Sequence, residues 1–443
     1  MVKLVHQKEQ HLVKETCKYL QQMFHSSLPE TIAYEMKLRI LREFEDNYIK
    51  LTELCDSEDD YIEIATDIFI AILDPSVTRI GCVEYTSHPK LLDGFKMRSS
   101  DLVYSAIYKL KNVTALRIAD AIYCNKRHEL GECLDQKITE NLDEFRNGMS
   151  SNREIRTLFE QCKKLRILDV GDSQDIYEES INYIVNMECL EELDIHYTSI
   201  YTIYTGKLLN RFVNTRRSDK EFVSTHLKKF GCDALSQEQI CLIGEKFPNL
   251  TCLKVMHVDC DLIPLKGLKH LKHLQVGVSS YQYLEKLLTC IGKQLVCLDV
   301  KNTSDVDLQH VASNCSSLIC LHLGNNPLFE SYFKSRGKKS RVIPTFPHVT
   351  RLELEFDDQL GVVTQCILSA FHNVKRLFLS HCSNDKIFDF VLQRKCMKHL
   401  EIAFFMKFND IYIALQFYDK YAVVTDFPII NTKAKITYYS FPI

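Results

Sequence analysis

The stretch LICLHLGNNP, residues 318–327, decides the fold. Leu318, Leu321 and Leu323 set an apolar rhythm of one, four and six, and Asn326 follows at the ninth place. The same rhythm stands at Leu165/Leu168/Val170, Leu190/Leu193/Ile195, Leu250/Leu253/Val255 and Leu271/Leu274/Val276. It returns at Leu295/Leu298/Val300, Val349/Leu352/Leu354, Val374/Leu377/Leu379 and Met397/Leu400/Ile402, with weaker copies at Val113/Leu116/Ile118 and Leu227/Phe230/Cys232. A unit this small cannot bury its own apolar face. It must stack on neighbours, which predicts a solenoid with a long exposed surface.

Between the phrases lie apolar residues at helical spacing, such as Leu284, Leu287, Leu288 and Ile291. Each unit therefore reads as one short strand and one helix. A short aromatic or cysteine-bearing lead-in precedes many phrases: FPNL from Phe247, NCSSL from Asn314, FPHV from Phe346 and FHNV from Phe371. It is expected to close the preceding helix and return the chain to the strand row. The repeats are expected to span 76–404, with insertions near 120–160, 200–223 and 328–345. Residues 405–443, rich in Tyr, Phe and Ile, are expected to cap the array. Residues 1–75 lack the phrase and read as helices, the first carrying Leu12, Val13, Cys17, Leu20 and Phe24.

Composition narrows the function. A formal net charge of −3 over 443 residues argues against non-specific nucleic-acid binding. There is no run of 18 apolar residues, and MVKLVHQKEQHLVKE lacks the apolar core of a signal peptide, so a cytoplasmic or nuclear location is expected. The 18 cysteines then read mainly as small buried hydrophobes. No CxxC pair, metal-finger spacing, phosphate-cradling glycine loop, GxSxG or HExxH occurs. No catalytic residue, metal ligand or cofactor is assigned, and the chain is not expected to be an enzyme. The basic run around Lys334–Arg341 reads as a solvated insertion.

The outward positions of the strands are what remains for function. Strand side chains alternate, so residues between the apolar positions face away from the core. One such row holds Asp194, Lys254, Asp299, His322, Glu353, Phe378 and Glu401. A second, two residues earlier in each strand, holds His273, Arg351 and Arg376. This charge-patterned face, concave in a horseshoe, is the candidate surface for a protein substrate or partner. His196, Tyr197 and His381 are possible anchors beside it.

Residues 77–443 resemble the leucine-rich-repeat superfamily, in particular the long, cysteine-containing type found in VHL-box and F-box substrate receptors of cullin ubiquitin ligases. The resemblance implies an α/β leucine-rich-repeat solenoid with a parallel sheet on its concave face, preceded by a small helical region. In VHL-box receptors a helix with a Leu-x-x-x-Cys core docks on elongin C. Val13-x-x-x-Cys17 in HLVKETCKYL is similar to that core, with Val13 for the leucine and Gln21 where an apolar residue belongs. Leu28-Pro29 followed by Ile32 is similar to the start of an F-box, which binds a Skp-type adaptor; the later Trp of that box has no counterpart. The resemblance implies that Val13, Cys17, Leu20, Leu28 and Pro29 face an adaptor. The alternatives are a helical cap on the first repeat, and a scaffold or inhibitor-like binder without a ubiquitin link.

Overall fold

The structure is a computed structural model. It describes residues 15–20, 22–23, 79–82, 95–97, 112–118, 140–147, 150, 152–171, 173, 176–196, 198, 202–214, 226–303, 306–324, 344–355, 362–380, 387, 390–391, 399–407, 411–417, 421–428 and 441–442. The chain forms two compact units, residues 1–200 and 201–443.

The first unit carries β1 (Arg79–Cys82), β2 (Phe95–Met97), β3 (Ala115–Ile118), β4 (Glu144–Asn147), β5 (Ile167–Asp169) and β6 (Glu192–Asp194). All are parallel. β1 pairs with both β2 and β3, and β3 to β6 follow in chain order. β1 is thus paired on both sides, with β2 and with β3. Helices α1 (Asn152–Gln161) and α2 (Glu179–Val185) alternate with the strands.

The second unit opens with α3 (Thr202–Asn214) and continues through β7 (Lys229–Ala234), α4 (Gln237–Lys246), β8 (Cys252–Val258), β9 (His273–Val278), α5 (Gln282–Ile291) and β10 (Cys297–Lys301). Next come α6 (Leu308–Asn314), β11 (Cys320–Gly324), β12 (Arg351–Glu355), α7 (Val362–Leu368), β13 (Arg376–Ser380) and β14 (Ile402–Lys407). β7 to β14 pair in parallel in chain order. β15 (Ile411–Phe417), β16 (Tyr421–Pro428) and β17 (Phe441–Pro442) then continue antiparallel.

The apolar rhythm explains this order. Phe230, Leu253, Leu274, Leu298, Leu321, Leu352 and Leu377 stand opposite one another across successive strands. Each is at most 1% exposed, so the phrase builds a continuous apolar ladder. Burying one such side chain contributes about 1.5–3 kcal/mol. The strand-by-strand alternation is clean in β10 and β12, where three half-exposed residues flank two buried ones. An α/β leucine-rich-repeat solenoid is the architecture this register defines.

The lead-ins act as expected. The Cys162, Phe247 and Cys315 amides donate to the last turn of the helix before them, and the Leu165, Leu250 and Leu318 amides donate back to those three carbonyls. Buried, the Cys162 and Cys315 thiols are pushed up to about 12, which leaves them as inert packing groups. Ser236 starts α4 with a reciprocal capping box to Gln239.

The boundaries read from sequence change in three places. Residues 120–160, expected as an insertion because of their charge, contain β4 and most of α1. The overlooked phrase is Leu142/Phe145/Asn147, with a buried asparagine where an apolar residue is the rule. The Asn147 carbonyl accepts from the Ser150 and Ser173 hydroxyls at 3.2 and 3.0 Å, which satisfies the polar backbone at this step. Residues 200–223, also expected as an insertion, contain α3. The last phrase is displaced by three residues. Leu377 stands opposite Ala403, so Leu400, not Met397, opens that repeat. Phe404 rather than Glu401 therefore stands opposite Phe378 in the register. The run 328–343 lies outside the described residues.

β8 carries a bulge between Val255 and Val258, opposite Val276 and Val278 of β9. There the Met256 carbonyl leans over Gly277, and a Cβ at Gly277 would overlap its oxygen. Gly277→Ala is expected to cost about 1–3 kcal/mol. Denaturant unfolding of the full chain checks this, and an unchanged midpoint would show that the strands yield freely.

Candidate functional site

The strands bring the outward residues into register rows. In the second unit the first row runs Lys229, Cys252, His273, Cys297, Cys320, Arg351 and Arg376. Two residues on along each strand, Gly231, Lys254, Gln275, Asp299, His322, Glu353 and Phe378 form the second row. A third row holds Gly277, Lys301, Gly324, Glu355 and Ser380.

The structure gathers Asp299, His322 and Glu353 on adjacent strands and adds Glu355, which the sequence reading did not select. His322 Nδ1 is 3.0 Å from Asp299 Oδ2. His322 Nε2 is 3.4 Å from Glu355 Oε1 and 3.8 Å from Glu353 Oε1, and neither contact has hydrogen-bond geometry. Arg351 Nη2 stands 3.8 Å from Glu353 Oε2. His322 is only 5% exposed. Burial works against its charge, but Asp299, Glu355 and Glu353 outweigh that and raise His322 to about 10. Burial pushes the Glu353 carboxyl up, with His322 opposing. Gly324 makes the space: a Cβ there would come within 2.8 Å of Glu355 Oε2 and 3.2 Å of His322 Nε2.

On the first row Cys297 and Cys320 stand opposite each other, and their interaction pushes the Cys297 thiol up and holds that of Cys320 down. His273 is exposed at the same level, and its imidazolium is disfavoured by partial burial and by Lys229 and Lys272. Lys254, Arg376 and Phe378 are half-buried along the rows. Glu401 is off them and pairs with Lys375 at 3.0 Å.

The first unit has its own charged row: Arg117, Arg146, Asp169 and Asp194. Glu144, 1% exposed, receives Arg117 Nε at 2.5 Å and Arg146 Nε at 2.6 Å on one oxygen. Arg146 also reaches Asp169 at 2.8 Å and Glu192 at 3.5 Å. Asp194 accepts from the His196 backbone and meets its Nδ1 at 2.5 Å. Glu144 and Arg146 were hidden in the range taken for an insertion. The signal that reveals them is the phrase at Leu142 and Phe145.

Among the described residues, two groups have the atoms to hold a cation: Asp169/Asp194/His196 and His322/Glu353/Glu355. In the first, Arg146 and His196 already engage the carboxylates. Of the residues expected to face an adaptor, Val13, Leu28 and Pro29 lie outside the described residues, as do the possible anchors Tyr197 and His381. Residues 15–20 are helical, with Cys17 half-buried and Leu20 buried. No helix among the described residues is long and apolar enough to cross a membrane.

No protein-family model matches the sequence, and no curated protein matches it. Solved structures do. Internalin C2 from Listeria monocytogenes is 16% identical with a TM-score of 0.30, over 50% of this chain and 84% of that one. A leucine-rich-repeat protein of Leptospira interrogans is 14% identical with a TM-score of 0.28, over 74% and 96%. The functional domain of InlJ from Listeria monocytogenes, which includes a cysteine ladder, is 12% identical with a TM-score of 0.25, over 69% and 66%. These similarities concern fold alone, and the fold assignment stands on the strand register.

Proposed function

We propose that this chain is a non-catalytic binding protein that holds a protein segment against the outward rows of β8 to β13. One observation carries the reading: the rows place half-exposed Lys, Arg, Asp, Glu and Phe side chains at regular strand spacing over a fully buried apolar ladder. A rigid scaffold with patterned charge and an aromatic anchor suits selective recognition of a polypeptide, because aromatic and Arg side chains concentrate binding energy. The test is affinity purification of the full chain with quantitative partner identification. Arg376→Glu with Phe378→Ala is expected to remove specific partners, while Lys286→Glu on the exposed surface of α5 retains them. A partner set unchanged by the double substitution would refute the reading.

A finer version makes the chain the substrate receptor of a cullin ubiquitin ligase, with the 15–20 helix docked on elongin C or a Skp-type adaptor. It rests on the resemblance of HLVKETCKYL to an adaptor-binding box. Recovery of adaptor and cullin, lost on Cys17→Asp with Leu20→Asp, is its expected result; absence of both at native expression would refute it. Leu20 is 9% exposed within this chain. Presenting it to an adaptor would first require releasing it from its present neighbours. That favours the alternative, a scaffold or inhibitor-like binder whose N-terminal helix packs on its own chain.

A further inference from the structure

We propose that His322, Glu353 and Glu355 form a binding site for a divalent transition metal of the Zn2+ type, oriented by Asp299, on the outward face of β10 to β12. Three observations meet here. The nitrogen and one oxygen from each carboxylate lie within 4.8 Å of one another. His322 Nε2, on a side chain more than nine-tenths buried, points between the two carboxylates and has no hydrogen-bond partner. The opposite ring nitrogen is 3.0 Å from Asp299 Oδ2. A carboxylate on the far nitrogen of a ligating imidazole is what fixes its tautomer and aims its lone pair at a metal.

Geometry and charge agree. Ligand bonds of 2.0–2.2 Å in a tetrahedral site put neighbouring donor atoms about 3.3 Å apart. The present 3.4 and 3.8 Å separations need only small side-chain adjustments. Arg351 is nearest the outer oxygen of Glu353, leaving its other oxygen facing His322. Three acidic side chains, Asp299, Glu353 and Glu355, surround the imidazole, with Arg351 and Lys301 beside them. When a divalent ion binds Nε2, the metal–nitrogen bond forms and any proton on that nitrogen leaves to solvent. Gly324 keeps the third row low enough for both carboxylates to turn inward. One imidazole and two carboxylates suit Zn2+, Co2+ or Mn2+ rather than a soft thiolate-bound ion. Three protein ligands leave a position open toward the face where a partner would lie.

The test uses the purified, chelator-treated full chain and titrates Zn2+ by calorimetry and Co2+ by visible absorption. One equivalent is expected at this site, with a Co2+ spectrum lacking a sulfur-to-metal band. Glu355→Gln, at a partly exposed position, is expected to abolish that spectrum while circular dichroism stays unchanged. Asp299→Asn is expected to weaken binding about 10–100-fold and preserve the spectrum. No uptake by the chelated protein overturns the proposal. So does uptake that Glu355→Gln and His322→Asn leave unchanged, or a band showing that the metal sits on cysteine.

Discussion

Phe371→Ala is expected to cost about 3–5 kcal/mol of stability. Phe371 is fully buried and lies 4.6 Å from Phe346, with the rings only 7° from parallel. Both are lead-in residues of consecutive repeats, so the stack ties one strand–helix unit to the next. The backbone reinforces it: the Phe346 amide donates to the Ala370 carbonyl at 3.1 Å, and the Phe371 amide to Leu368. Truncation removes the ring and leaves a cavity that neighbouring repeats cannot fill by shifting alone. In a repeat array each unit is held mainly by its neighbours, so the damage should spread to the units after β12. Phe371→Leu is expected to recover more than half of the loss. Chemical denaturation with amide exchange across β12 and β13 reads both effects. A loss under about 1 kcal/mol would show that the stack contributes little beyond ordinary contact.

Glu144→Ala is expected to cost about 3 kcal/mol, because it leaves the Arg117 and Arg146 guanidiniums facing a missing partner. Glu144→Gln is expected to cost roughly half as much, since its amide keeps the shape and one acceptor. The sign with pH follows from the carboxyl. Burial favours its neutral form, but hydrogen bonds and charge from Arg117 and Arg146 prevail and hold it below its ordinary value of 4.5. A carboxyl lowered on folding contributes stability above its unfolded pKa and loses it as pH falls through the folded value. The gap between the native chain and Glu144→Gln should therefore be full at neutral pH and close in acid. A gap constant down to strongly acid conditions would show that shape, not charge, is what Glu144 supplies.

These two residues also mark the limits of reading the chain alone. Phe371 was legible as a lead-in, because its ring stands at a fixed distance before Val374, Leu377 and Leu379. Glu144 was not, because Asp143, Glu144, Arg146 and Asn147 surround Phe145 and mask the one apolar phrase in their midst. A charged cluster reads as solvated until the neighbouring strands supply the opposite charges. The last repeat failed for a different reason. Met397/Leu400/Ile402 and Leu400/Ala403/Phe405 both satisfy a tolerant apolar rhythm, and only pairing with β13 selects the second.

The outward rows show the same division. Sequence placed Asp299, His322 and Glu353 on one face, since strand side chains alternate with a period of two. It passed over Glu355 and Gly324, two residues further along their strands, because each belongs to a row defined only by pairing across β9 to β13. Arg351, Arg376 and Phe378 were placed correctly. Glu401 was not, being carried off the row by the shifted register.

The amino-acid order by itself determined the repeat, the strand–helix unit and the parallel stacking. Those follow from local apolar periodicity, which every unit states independently and which no single charged exception can erase. Only the tertiary structure decided which charges meet. Asp299, His322, Glu353 and Glu355 come from three strands, and Arg117, Glu144, Arg146 and Asp169 from three others. Long-range electrostatic pairing depends on register between strands separated by whole repeats, and a one-dimensional pattern carries no distance across that gap.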